Sequence, residues 1–255
     1  MDCDKAIDAI RARLDAPYES AKQVLTLEAE CVGALSELDA ECSEALMRVG
    51  YSLLERAGVS DSDEYAFGVI LQAIANRHQP GALDLTAAAL MGDKTGSKED
   101  YVGLLDSYHD ARAIPALVYA VQHNPPLDEE GGWVRARAID ALRSLGAREA
   151  AGVVIPCVQD IAYRVRRAAI GFLTRLNVTA AADTFVARVR DEDDPDVLEA
   201  LVDGLVLWER ADSLPDLRDL STSDWVTQDK SLRSALDVAI VALERDNRQP
   251  AVVAR

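Results

Sequence analysis

Val134-Arg135-Ala136-Arg137-Ala138-Ile139-Asp140-Ala141-Leu142-Arg143-Ser144-Leu145 is written a second time as Val165-Arg166-Arg167-Ala168-Ala169-Ile170-Gly171-Phe172-Leu173-Thr174-Arg175-Leu176. A third copy, with changes, runs from Val197 to Trp208. The copies begin 31 and 32 residues apart. Self-similarity at a period of this size is the signature of stacked supersecondary units. Within each copy the apolar residues recur at helical spacing, so the unit contains an amphipathic helix. The fold expected is all-α: a solenoid of stacked helix pairs winding as a right-handed α-α superhelix.

The repeat also organises its surroundings. Ala113-Ile114-Pro115-Ala116-Leu117-Val118, Val154-Ile155-Pro156-Cys157-Val158 and Leu214-Pro215-Asp216-Leu217 each precede a copy of the pattern or the final helix, Lys230 to Glu244. Proline after an apolar residue near a helix start, followed by a second helix beginning Val-Arg, resembles the HEAT-like repeat family. The resemblance covers about 110–244; the first hundred residues share only the rhythm of helix pairs. Leu198 stands where Arg135 and Arg166 do, and Asp237 takes the place of Ile139. Those departures suit a C-terminal cap. The expected organisation is divergent helix pairs and an N-terminal cap over 1–109, HEAT-like repeats over 110–245 in the same continuous solenoid, and a frayed tail over 246–255.

Ahead of the repeats, Asp4 to Leu14 reads as a short helix stopped by Pro17. From Val24 to Leu53 apolar residues recur about every 3.6 residues, the straight-helix period rather than that of a left-handed coiled coil. A pair of helices turning near Ser36 to Asp39 is predicted in preference to a dimerising coiled coil. Further helices are expected over 65–77, 82–91 and 98–108, separated by Pro80-Gly81 and by the polar loop 92–97. The four cysteines, Cys3, Cys31, Cys42 and Cys157, form no CxxC pair, which argues against a zinc site and a disulfide framework. Cys31, Cys42 and Cys157 lie on apolar stripes and read as small core residues.

The chain carries 44 acidic and 27 basic residues, a net charge of −17. Such a charge repels nucleic acid and membranes and attracts cationic partners. From Trp133 to Arg190, however, ten arginines and no lysine face four acids, a local charge of +6 that leaves −23 elsewhere. No apolar run approaches the roughly 20 residues that span a bilayer. With an acidic Met1-Asp2-Cys3-Asp4-Lys5, a cytoplasmic location is expected.

Phase divides those arginines. At about 100° per residue from Val134, the apolar side chains occupy an arc from about −20° to 140°, and Arg135 lies inside it near 100°. A charge there must be paired. In the resembled family such an arginine joins an Asp ladder between neighbouring units, which assigns Arg135 and Arg166 a structural role with Asp160 as partner. Arg137, Arg143, Arg167 and Arg175 point away from the core and are the candidate binding strip. The resemblance puts second helices on the concave face, where HEAT-like DNA glycosylases hold phosphate backbones.

The segment Asn124-Pro125-Pro126-Leu127-Asp128-Glu129-Glu130-Gly131-Gly132 exceeds the usual 2 to 8 residues of a helix connection. Asp128, Glu129 and Glu130 are therefore expected to form an acidic lip. Asp191-Glu192-Asp193-Asp194-Pro195-Asp196 lacks an EF-hand glycine and closing glutamate, and Asp194 before Pro195 reads as a helix cap. No metal and no cofactor are predicted. His78, His109 and His123 form no HExxH and no His-Glu pair of the kind HEAT-like di-iron hydroxylases carry. Some HEAT-like proteins are bilin lyases, yet no residue singles out that activity, and no catalytic constellation motivates an enzyme.

The function expected is a protein-binding scaffold, an inhibitor or adaptor for a partner with a basic surface, of which an immunity protein masking a toxin is one version. The alternative is nucleic-acid or phosphate-ligand binding through the arginine strip, which the overall negative charge disfavours. Oligomeric state is left open.

Overall fold

The computed structural model describes residues 2–14, 21–56, 61–79, 81–92, 97–123 and 132–248. Among them there are helices and no strand. None of these helices is long and apolar enough to cross a membrane. Two compact units divide the chain, residues 1–119 and 120–255.

In the first unit, α1 (Cys3–Leu14), α2 (Ala21–Ser36), α3 (Ser43–Arg56) and α4 (Asp61–Asn76) pack together, followed by α5 (Ala82–Met91) and α6 (Lys98–Ser107). The chain turns between α2 and α3 through residues 37–39 and a 3-10 turn at Ala40–Cys42, so no single long helix spans the segment. Phe67, Ile70, Leu71 and Ile74 of α4 fill the centre with Leu46 and Leu53. Gly50 lets α3 and its neighbours approach, since a Cβ there would stand 2.8 Å from Leu85 Cδ2.

Contrary to the expectation of no disulfide, two of the four cysteines are bonded to each other. Cys3 and Cys42 form a disulfide, with Cα atoms 5.3 Å apart. Cys42 is buried as an apolar residue would be, but α1 packs on α3 and delivers Cys3 to it. Arg48 of α3 reinforces this contact through Asp4 at 2.8 Å. Sequence spacing could not reveal a pair 39 residues apart. Cys31 and Cys157 are free and buried.

A helix shared by the two units, α7 (Ile114–His123), leads into α8 (Trp133–Ser144), α9 (Ala151–Val154), α10 (Tyr163–Arg175), α11 (Ala182–Val189), α12 (Pro195–Leu207), α13 (Leu214–Ser221), α14 (Asp224–Gln228) and α15 (Lys230–Arg248). In the second unit α8, α10, α12 and α15 lie side by side as one layer. The other layer is α9 with its 3-10 extension Ile155–Gln159, then α11 and α13, packed against α10, α12 and α15 respectively. Ala138, Ala141 and Leu142, then Ala169, Phe172 and Leu173, then Leu201 and Leu205 are all buried where the copies align. Gly204 takes the place of Phe172 because Phe185 of α11 occupies that space, 2.6 Å from where a Cβ would stand.

The helices of the repeat stop in one way. His78, His109, Gly146, Asn177 and Glu209 all have φ between 48° and 66°, each two residues beyond the end of α4, α6, α8, α10 and α12. At Gly146 the amide bonds Arg143 O and the next amide bonds Leu142 O, both at 3.0 Å; Asn177 and Glu209 repeat that pattern. This is the Schellman closure, which satisfies the last carbonyls of a helix. His78 and His109, two of three histidines available for proton transfer, thus serve as left-handed caps. The caps fall 31, 37, 31 and 32 residues apart. The repeat period therefore extends into the first unit, and the excess of six residues falls between His109 and Gly146, where the acidic segment is inserted.

Candidate functional site

The ladder arginines are as buried as their phase requires, with Arg135 and Arg166 each 5 % exposed. Arg135 grips Asp160 with both terminal nitrogens, Nη2 donating to Oδ1 at 3.0 Å and Nη1 to Oδ2. Arg166 does the same one unit later but takes Glu192: Nε donates to Oε2 at 2.9 Å and Nη2 to Oε1 at 2.6 Å. Its Nη1 donates to the Asp160 and Ile161 carbonyls. Glu192 also accepts Arg188 Nε at 3.0 Å and the amides of Asp193 and Asp194. Burial alone would raise the Glu192 pKa, but the Arg166 and Arg188 guanidiniums and the Asp194 amide hold it below its ordinary value. Asp194 caps α12, accepting the Val197 amide at 3.0 Å. The acidic loop 191–196 thus supplies an ion-pair partner and a cap. Leu198, at the third ladder position, is fully buried.

On the other side of α8 and α10, three of the four strip arginines come together. Arg137 and Arg143 of α8 and Arg167 of α10 line one groove of about 450 Å³ with Arg164, Trp133, Tyr163, Ala136, Asp140 and Ala168. Arg175, the last residue of α10, is exposed and lies outside that lining. Arg143 contacts Asp140 at 2.9 Å, and Arg167 lies 3.8 Å from Asp196. Arg143 also reaches across α10 at Gly171, where a Cβ would stand 2.8 Å from its Nη1. That position is Asp140 in the previous copy, and only a residue without a side chain leaves the path open.

Arg164 was not among the expected binding residues. Its guanidinium carbon sits 4.4 Å from the Trp133 ring centre and 4.6 Å from that of Tyr163. A guanidinium on aromatic faces is held by the ring quadrupoles and keeps its hydrogen-bonding edge available. The repeat carries the signal: Trp133 precedes Val134 as Arg164 precedes Val165, and equivalent positions of stacked units are neighbours. Asp128, Glu129 and Glu130 lie outside the described residues. No group of three or more His, Cys, Asp or Glu among the described residues could hold a metal ion.

An all-α stack of helix pairs joined by buried arginine–carboxylate links defines a helical-repeat protein. Residues 127–206 match the HEAT repeats family, so this part of the chain is a HEAT-like repeat array. A comparison with curated proteins returns no match. Among solved structures, a chain in the complex of CpcE and CpcF of phycocyanin lyase from Nostoc sp. PCC7120 is 22 % identical with a TM-score of 0.51, covering 64 % of this chain and 65 % of its own. The match thus spans less than two thirds of that lyase chain, and it shows the fold alone. Human deoxyhypusine hydroxylase in complex with glycerol aligns at 16 % identity and TM-score 0.40, over 95 % of this chain and 97 % of its own. A designed armadillo repeat protein in complex with the peptide (KR)4 aligns at 13 % identity and TM-score 0.41, over 95 % and 100 %.

Proposed function

We propose that this chain is a protein-binding scaffold whose α8/α10 groove takes carboxylates of a partner that is otherwise cationic. The observation that carries the reading is the convergence of Arg137, Arg143, Arg164 and Arg167 with Trp133 and Tyr163 on one groove. Arginine and large aromatics are the side chains that concentrate binding energy at protein interfaces. Guanidiniums recognise carboxylates in a fixed geometry, which sets register once a partner has arrived. The −23 carried outside residues 133–190 attracts basic surfaces, so approach and register come from charges of opposite sign. HEAT repeat scaffolds suit such work. An inhibitor or adaptor follows, and an immunity protein masking a basic toxin is its concrete version; Asp128, Glu129 and Glu130 would add an acidic lip beside the groove.

The test is affinity purification from cells with the chain as bait, comparing wild type with Arg137→Glu/Arg167→Glu. Both side chains are exposed, so the repeat itself is unaffected. A partner with a basic surface that binds wild type at least about tenfold more tightly than the double variant supports the reading. Partners retained equally by both, or acidic partners alone, overturn it.

A second reading rests on the Arg164 stack, whose aromatic neighbours a nucleobase could join. It assigns Arg137, Arg143, Arg167 and Arg175 to phosphates. Fluorescent duplex and single-strand oligonucleotides decide it: binding at low salt that weakens steeply as salt rises supports it, and no binding at low salt removes it.

A further inference from the structure

The last helix carries two stripes with the same 4-3-4 spacing. Leu232, Leu236, Ala239 and Leu243 are buried and join α15 to the stack. Ser234, Val238, Val241 and Arg245 form the second stripe, and this one faces outward. Val238 is 67 % exposed, Val241 is 56 % exposed, and Leu207 of α12 beside them is also 56 % exposed. Between α12 and α15 runs a groove of about 460 Å³, lined by Val206, Leu207, Ala235, Val238, Ala239 and Ala242 with Asp203 and Ser234 at its rim. A second depression of about 400 Å³ continues it along α15 past Asp237 and Val241 to Arg245. Valine is a mediocre helix former, so two valines on an open helix face gain nothing from the helix itself. An apolar patch rimmed by polar residues is the mark of an interaction surface.

We infer that this face binds a second copy of the same chain, α15 packing antiparallel on its counterpart about a two-fold axis near Val238 and Val241. Charge supports this occupant. Copies that each carry −17 repel one another over most of their surface, yet here Asp203 and Asp237 are balanced by Arg233 and Arg245. The two signs are also ordered along the helix. Asp237, with Arg233 4.0 Å away, lies at one end of the valine stripe and Arg245 lies at the other. An antiparallel two-fold reverses one stripe against the other, setting valines on valines and bringing each Arg245 to the end where the other copy's Asp237 stands. A parallel two-fold would set Asp237 against Asp237 and Arg245 against Arg245, and a head-to-tail contact would not close. The surface is therefore complementary to itself, and Leu207 widens the apolar contact on one side. This inference does not depend on the arginine groove, which lies on α8 and α10.

Sedimentation equilibrium of the full chain from about 1 to 500 µM reads the association directly, over the range expected of a small reversible interface. A mass rising from one chain to two is the expected result; the mass of one chain throughout would overturn the inference. Val238→Asp/Val241→Asp should hold the chain monomeric over the whole range with its helical circular dichroism unchanged. Charge reversal tests the arrangement without touching the apolar contact. Asp237→Arg alone and Arg245→Asp alone should each weaken the dimer about tenfold, because every dimer then holds two like-charge contacts. The combined Asp237→Arg/Arg245→Asp chain should return to wild-type association. Single reversals without effect, or a combined variant as weak as either single one, would show that α15 does not pair in this way.

Discussion

At the scale of single residues, the pair most able to damage the protein is Arg166 with Glu192. The Glu192 side chain is 0 % exposed and spends its oxygens on two guanidiniums and two amides. Arg166→Met leaves that carboxylate with Arg188 as its one guanidinium beside the two amides and should cost about 3 kcal/mol, the low end for breaking a buried pair. Arg166→Met/Glu192→Leu should recover part of the loss, since the buried carboxylate is removed with its partner while Arg188 and the Asp193 and Asp194 amides lose an acceptor. Denaturant titrations of the three chains measure this, and a double variant less stable than Arg166→Met refutes the account. The pH dependence has a definite sign. The Glu192 pKa is lower in the folded protein, so its contribution is complete above the ordinary glutamate value of about 4.3 and is lost as pH falls through the lower folded value. Melting temperature should therefore drop through the acid range, and Arg166→Met should drop less. The burial of Arg135 and Arg166 is legible in the sequence, because helical phase alone places them in the apolar arc. The choice of Glu192 over Asp160 for Arg166 is less so, although a spacing of 25 residues from Arg135 to Asp160 and 26 from Arg166 to Glu192 repeats the rule.

At the scale of elements, the entry to α8 and the tie between α1 and α3 matter most. Gly132 has φ +86° and its missing side chain would stand 2.7 Å from Val165 Cγ2; Gly146 has φ +66° and nothing within 4 Å. Both substitutions to alanine pay for a left-handed backbone, about 1 kcal/mol, and only Gly132→Ala adds a collision between α8 and α10. Gly132→Ala should thus be the more damaging by about 1–3 kcal/mol in urea denaturation, as overpacked sites are; equal losses would mean that α8 shifts freely. In the first unit, Cys42→Ser opens a loop of 39 residues and should lower stability by roughly 3–4 kcal/mol on the chain-entropy account. Ellman titration gives an independent count. The unfolded, unreduced protein should show two thiols and the reduced protein four. In the native protein Cys157 should react slowly, because burial pushes its pKa up to about 11. Helices over the repeat were legible from periodicity; the break between α2 and α3 was not settled by it, because the apolar residues from Val24 to Leu53 keep one helical period across the turn. The disulfide was not, since it depends on where α1 packs. The helix caps at His78 and His109 were hidden for a different reason: left-handed geometry at a histidine leaves no pattern that apolar spacing can reveal.

Over the whole molecule, the unusual quantity is how its charge is sorted, +6 between Trp133 and Arg190 and −23 elsewhere. That segregation was plain in the sequence; that Arg164 joins the groove and Arg175 does not required the structure, because the stack of Arg164 on Trp133 and Tyr163 sets its place. One protein should consequently hold both anions and cations, at different places. Hexaglutamate and hexalysine, each fluorescently labelled, are suitable probes. At about 20 mM salt both should bind, and both should weaken strongly by about 300 mM, where the screening length has fallen to well under 10 Å. Arg137→Glu/Arg167→Glu reverses two of the four guanidiniums of the groove and should abolish hexaglutamate binding while leaving hexalysine binding equal or stronger. Anisotropy titrations report both affinities from the same preparation. If hexaglutamate binds the variant as well as the wild type, the carboxylates are held somewhere other than the α8/α10 groove, and the reading of that groove as the register-setting site fails while the acidic attraction stands.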